Sequence, residues 1–277
     1  MVNDFTVASL LDPGTHHTFL DPSIQSVDTD LCRNLSSLDA YLGSRTTTRP
    51  VFAYLAPMNV HILNTRTAAA PSGGSYEGFY PPYAAALERL DGCFGAFVDT
   101  LRQRGLYDDS VIILTSDHGD SLGEEGRWGH QFYLYPEDLR VPLIVHVPPA
   151  LQSRVTTDLG RLSFLTDLTP SLYGLLGYDV RDLGEGFGHP LFVPPDEAPA
   201  PRRRGSYLVM SSYGSSYGLL RRNGRQLYHV DLVNRAENAF VLLDGPLGEA
   251  VPVTDAVRRV NRAGILDGLR AVERMYR

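Results

Sequence analysis

Two uninterrupted apolar runs constrain this chain more than any other feature: residues 111–115 (VIILT) and 141–147 (VPLIVHV). Neither alternates polar with apolar side chains, the pattern of a strand covered on both faces. An apolar stripe precedes them, with Tyr83, Leu87, Leu90, Phe94, Phe97 and Leu101 at spacings of four and three, and Gly105 follows as a stop. That is one face of a helix, and it reads as core packing. A second helix is predicted over 168–176, opened by Thr166 and Asp167 as cap and first-turn acid. Residues 51–55 (VFAYL) read as one more short buried strand. Strand, helix and strand in alternation predict an α/β sheet with helices on both faces.

Composition punctuates the remainder. A helix-like stretch covers 28–42, and residues 64–80, rich in Ala, Gly, Ser and Pro, predict a surface loop. Around 193–206 (VPPDEAPAPRRRGS) Pro and charge take over, which marks a linker. Beyond it, 207–210, 218–222 and 226–231 read as short antiparallel strands, the last two joined through Asn223-Gly224, a strong hairpin signal. A final helix is expected over 254–275. The expected division is an α/β core over residues 1–200 and a C-terminal α+β subdomain over 201–277.

At 277 residues the chain can bury a proper core, and its formal net charge of −7 argues against nucleic acid as the main partner. No apolar run approaches the roughly 18 residues of a membrane span. No basic-then-apolar leader opens the chain, so a soluble protein is predicted. All 25 basic residues are arginine. Without lysine, Schiff-base chemistry and a P-loop are excluded, and an anion must be met by Arg, His, backbone N–H groups or a metal. Cys32 and Cys93 lack metal-finger spacing; each reads as a small apolar packing residue, and the sequence leaves a disulfide between them open.

The chemistry concentrates at Thr115-Ser116-Asp117-His118-Gly119-Asp120, directly after the first apolar run. In parallel α/β sheets ligands gather at the carboxyl ends of strands. There, an adjacent carboxylate and imidazole can reach one divalent cation if the backbone turns, a turn assigned to Gly119. Arg127-Trp128-Gly129-His130 brings the chain back toward the same rim, and His61 follows the carboxyl end of the 51–55 strand. Three histidines and an aspartate are thus expected to converge on one sheet edge. Asp120 reads either as a turn residue or as a group that orients His118. Glu124 and Glu125 read as solvated loop acids, and His16, His17 and His229 as surface or packing residues.

Residues 111–148 (VIILTSDHGDSLGEEGRWGHQFYLYPEDLRVPLIVHVP) resemble the C-terminal core of the sulfatase family, within the alkaline phosphatase superfamily. RPVFAYLAPMNVH resembles that family's strand ending in a substrate-side His, and FLTDLTPSLYGLLGY its D-x-x-P-[ST]-L-x-x-L-L-G helix. GLLRRNGRQLYHVDLVNRAEN resembles its C-terminal sheet, so the likeness runs over about residues 50–238. By this resemblance Asp117 and His118 are the pair that ligates a catalytic divalent metal (Ca, Mn or Zn). His130 and His61 would contact the transferred sulfuryl or phosphoryl group, and Arg127 is close enough in sequence to be read as a second anion contact. The substrate implied is a sulfate or phosphate ester, and an Asp-His pair suits Mn²⁺ or Zn²⁺ somewhat better than Ca²⁺.

One departure matters. The family's paired N-terminal aspartates and its nucleophile, made in C-x-P-S-R or supplied by Ser or Thr, are not found: Cys32 is followed by Arg-Asn-Leu-Ser and Cys93 lies on the apolar helix. The expectation is therefore the C-terminal part of a metal-dependent ester hydrolase, catalytically silent alone, its metal weakly held and its uncovered sheet prone to self-association. The alternative is a non-catalytic binding module of the same fold. Compartment is left open, since relatives are often exported or membrane-anchored through N-terminal segments.

Overall fold

The computed structural model describes residues 29–61, 81–130, 133–180, 188–197, 205–211, 214–242 and 248–275. The expected loop over 64–80, His16 and His17 lie outside them. The described residues fall into two compact units: one up to Asp109 together with Leu122–Gly129, the other Ser110–Ser121 together with the chain from His130 on. Among the described residues no helix is long and apolar enough to cross a membrane.

The first unit is built on α1 (Leu31–Ser44) and α2 (Pro81–Gln103). Asp30 caps α1, accepting from the Arg33 amide at 3.0 Å. Helix α2 ends as its sequence requires, with Gly105 at φ +66° and the Leu106 amide donating back to Leu101. The stripe on α2 is covered unevenly: Leu101 is buried, whereas Leu87 is exposed. The two helices are joined covalently. Cys32 and Cys93, read from sequence as apolar packing residues with a disulfide left open, form that disulfide with Cα atoms 5.2 Å apart. An ion pair lies on either side of it, Asp30 with Arg89 and Asp39 with Arg104. Residues 51–55 do not form the expected buried strand: only Tyr54 makes an isolated bridge, and Phe52 is 67% exposed. An apolar run becomes a strand only where a neighbour supplies its ladder bonds, and the regular structure of this unit is mainly helical.

In the second unit, β1 (Ile112–Thr115) pairs with β4 (Leu143–His146) in antiparallel register, Ile112 opposite His146 and Thr115 opposite Leu143. Both apolar runs are strands, but Ile144 is 63% exposed, so the ribbon is not covered on both faces. Two-residue strands β2 (Ser121–Leu122) and β3 (Trp128–Gly129) lie between them in sequence, and the one-turn helices α3 (Pro136–Leu139) and α4 (Pro149–Gln152) flank β4. Helix α5 (Leu168–Leu175) stands where its pattern predicts.

The C-terminal part is an antiparallel meander of β5 (Ser206–Met210), β6 (Ser216–Arg221), β7 (Gln226–Asp231), β8 (Ala236–Leu242) and β9 (Gly248–Val251), followed by α6 (Asp255–Met275). Asn223 and Gly224 turn β6 into β7 at φ +55° and +80°, as the dipeptide signals. Alternation along the strands divides the core in two. Leu219, Tyr228, Val230 and Ala239 pack with Ile265 of α6 on one face. Leu220, Leu227, Phe240 and Leu242 pack on the other against Tyr135, Leu139 and Phe164. With helices, the β1–β4 ribbon and this sheet, the chain is an α/β protein carrying a C-terminal antiparallel sheet and a terminal helix.

Candidate functional site

The segment after β1 supplies the candidate groups, and its neighbours decide where they go. The Ser116 hydroxyl donates to the His118 carbonyl at 2.6 Å, and the His118 amide donates to Asp117 Oδ1 at 3.1 Å. His118 Nδ1 lies 2.9 Å from the Gly119 carbonyl. A carbonyl can only accept, so Nδ1 carries a proton, and Nε2 is the ring nitrogen left to face another partner. The Asp117 carboxylate is 3.6 Å from that Nε2 and is 86% exposed.

Gly119 is required, but not for the turn anticipated from sequence. A Cβ there would stand 1.9 Å from the Glu137 carbonyl oxygen, so only a bare α-carbon lets the segment lie against α3. Its amide donates to the Asp138 carbonyl at 2.9 Å.

Asp120 is 8% exposed in its side chain and places Oδ1 2.5 Å from His130 Nδ1. It therefore orients His130 rather than His118, fixing the proton on Nδ1 there too. The two imidazole rings stack at 3.8 Å between centroids, tilted by 34°. His118, Asp120 and His130 each offer a ligand atom within 4.8 Å of the others, a group that could hold a metal ion. Asp117 stands beside this group rather than in it. His61 and Arg127 belong to the first unit, where the Arg127 guanidinium pairs with Glu125, an acid that remains 64% exposed.

A buried carboxylate that the sequence did not single out supports the site. Asp138 is 6% exposed, and burial, with the neighbouring Glu137 charge, pushes its pKa up from 3.8 to about 7. Its only forewarning was the acidic Glu-Asp after Pro136. The fully buried His229 of β7 is shifted the other way, from 6.5 to about 4, because burial disfavours its charged form.

These two groups pull stability in opposite directions between pH 4 and 7. Asp138 keeps its proton in the folded state while the unfolded chain loses it, so its contribution is full below pH 3.8 and is lost as pH rises toward 7. His229 refuses a proton that the unfolded chain accepts, so its contribution is lost as pH falls from 6.5 toward 4. Each is worth on the order of a few kcal/mol, and they nearly offset. Urea unfolding of Asp138→Asn at pH 4.5, 5.5 and 6.5 should reveal a stability that falls with acid more steeply than that of the parent protein. Parallel slopes for variant and parent would contradict the assignment.

The sulfatase family model matches residues 27–178, more than half of the sequence. The chain belongs to the sulfatase family. It is similar to the N-acetylglucosamine-6-O-sulfatase of Bacteroides thetaiotaomicron, 26% identical over 160 residues that cover 57% of this chain and 28% of that protein. It is also similar to the choline-sulfatase of Rhizobium meliloti, 35% identical over 104 residues covering 36% and 19%. Among solved structures it is similar to BT1596, a 2-O GAG sulfatase, with 17% identity, a TM-score of 0.46 and coverage of 88% and 56%. The chain thus spans less than a third of the length of these two curated relatives. Within this sulfatase-family chain, the matched stretch includes Asp117, His118, Asp120 and His130.

Proposed function

We propose that this chain forms the cation-holding part of a metal-dependent hydrolase of sulfuric esters, phosphoric esters being the alternative substrate class. The carrying observation is the cluster of His118, Asp120 and His130, whose ligand atoms approach within 4.8 Å of one another. The donor chemistry fits a divalent cation: two imidazoles with the proton held on Nδ1 and one carboxylate, a set that suits Mn²⁺ or Zn²⁺ better than Ca²⁺. Asp117, beside His118 and open to solvent, is a further ligand, as the resemblance to the family implies. A cation there would supply Lewis-acid polarisation of the ester and lower the pKa of a nucleophile.

The protein groups do the positioning. Asp120 holds the His130 ring in one tautomer and one orientation. His130 and His61 are assigned by family resemblance to the oxygens of the sulfuryl group, and Arg127, close to His130 in sequence, is proposed as a second anion contact; together they would stabilise the charge of the transition state. The nucleophile is not assigned to any residue of this chain, and the isolated chain is proposed to bind metal weakly without turnover.

Calorimetric titration with Mn²⁺ tests this reading. Asp120→Ala should weaken binding by about 10-fold or more, and Asp117→Ala by less. Equal affinity in Asp120→Ala and the parent chain would remove the cluster from the site. Turnover of an aryl sulfate or an aryl phosphodiester that vanishes in Asp117→Ala would show that the chain carries its own nucleophile.

A further inference from the structure

We propose that Ser121, gripped by the Glu137–Asp138 turn, is a positioning residue that sets Asp120 against His130. The proposal takes its functional meaning from the cation site above. Asp120 itself belongs to no strand and directly precedes β2, yet its carboxylate must be held to within a fraction of an ångström for a shared ligand geometry to exist.

Two anchors, one on each side of Asp120, meet that need. On the N-terminal side, the Gly119 amide donates to the Asp138 carbonyl at 2.9 Å, and the missing Cβ of Gly119 allows the close approach to the Glu137 carbonyl. On the C-terminal side, the Ser121 hydroxyl lies 3.0 Å from Glu137 Oε1 and 3.3 Å from Asp138 Oδ1, its one proton shared between them. Ser121 and Asp138 are both buried. The turn that receives both anchors is itself fixed. The other Asp138 oxygen accepts from the Tyr135 amide, and Tyr135 and Leu139 pack into the Leu220, Leu227, Phe240 and Leu242 cluster. The C-terminal sheet thereby carries the turn, the turn carries the segment, and the segment presents Asp120 to His130.

Removing the Ser121 hydroxyl should therefore loosen Asp120 while leaving every proposed ligand in the sequence. The test uses the metal-free full chain and reads the hydrogen-bonded Nδ1 proton of His130 by NMR, then Mn²⁺ affinity by calorimetry. In Ser121→Ala the Nδ1 resonance should broaden beyond detection, and Mn²⁺ affinity should fall about 10-fold. Ser121→Thr, which restores the hydroxyl, should recover both. Glu137→Ala, which removes one of the two acceptors at a less buried position, should shift both readouts in the same direction by less and serves if Ser121→Ala does not fold. A parent chain without the His130 Nδ1 resonance, or a Ser121→Ala protein that keeps it together with parental Mn²⁺ affinity, overturns the proposal. A parent chain that shows the resonance but binds no Mn²⁺ overturns the cation reading alone, and loss of the resonance in Ser121→Ala still supports the positioning role.

Discussion

Reduction of the Cys32–Cys93 disulfide should destabilise the α1–α2 pair by about 4 kcal/mol, from the loop it closes. The bridge spans 61 positions in sequence, and a cross-link that closes so long a loop removes much of the freedom of the unfolded chain. The other ties between the helices are weaker. The Asp30–Arg89 and Asp39–Arg104 ion pairs are partly exposed, and such pairs contribute roughly 0–1 kcal/mol each. Among the described residues of the two helices, the buried apolar side chains are Leu35, Leu38 and Leu101. The disulfide is therefore the dominant link. Thermal unfolding followed by circular dichroism, with and without a phosphine reductant, should show the transition shifted down by on the order of 10 °C. The double variant Cys32→Ser, Cys93→Ser should reproduce the reduced curve and become insensitive to reductant. Two titratable thiols in denatured, unreduced protein, or superimposable melts, would show that the bridge is not formed.

Asp167→Ala should cost a similar amount, about 4 kcal/mol, for a different reason. Asp167 is fully buried and its two oxygens accept from two separate backbone amides, Phe164 and His189, both at 2.9 Å. Its own carbonyl accepts from the Ser171 hydroxyl, which in turn accepts from the Leu191 amide at 2.7 Å. One carboxylate thus stitches the chain around residue 189 onto the start of α5. Gly188, at φ +83°, makes room for it, since a Cβ there would sit 2.6 Å from Asp167 Oδ1. Alanine takes the acceptor away from two part-buried amides and leaves a hole at a fully buried position, whereas Asn keeps one oxygen and turns an NH₂ toward the other amide, so Asp167→Asn should lose somewhat less. Urea unfolding measures both, and hydrogen exchange at the Phe164 and His189 amides should accelerate in each variant. An alanine variant within about 1 kcal/mol of the parent, the range of an ordinary surface substitution, would mean that the two bonds are not made.

These cases mark the boundary of what was legible in the residues alone. Thr166 and Asp167 were recognisable as a helix start, but Asp167 accepts from Phe164 behind it and from His189, 22 positions ahead. Asp120 stood in a recognisable Asp-His-Gly-Asp segment, yet its partner is His130, ten positions on, and not the neighbouring His118. Asp138 gave almost no signal, because a carboxylate in an acidic stretch looks solvated until the chain buries it.

Helices α2, α5 and α6, the two apolar strands, the Asn223-Gly224 hairpin and the segment that bears the site residues could all be read from neighbouring residues, and the motifs disclosed the family. Each local feature depends on spacings of two to four residues or on a backbone angle that few residues tolerate, so it is written in adjacent letters. Nothing local foretold that Cys32 meets Cys93, that β1 and β4 run antiparallel with Ile144 exposed, that residues 51–55 form no strand, or that Gly119 is bare to admit the Glu137 carbonyl. Those outcomes depend on where a distant segment returns, and burial, hydrogen-bond partners and disulfides are properties of the returning neighbour as much as of the residue itself.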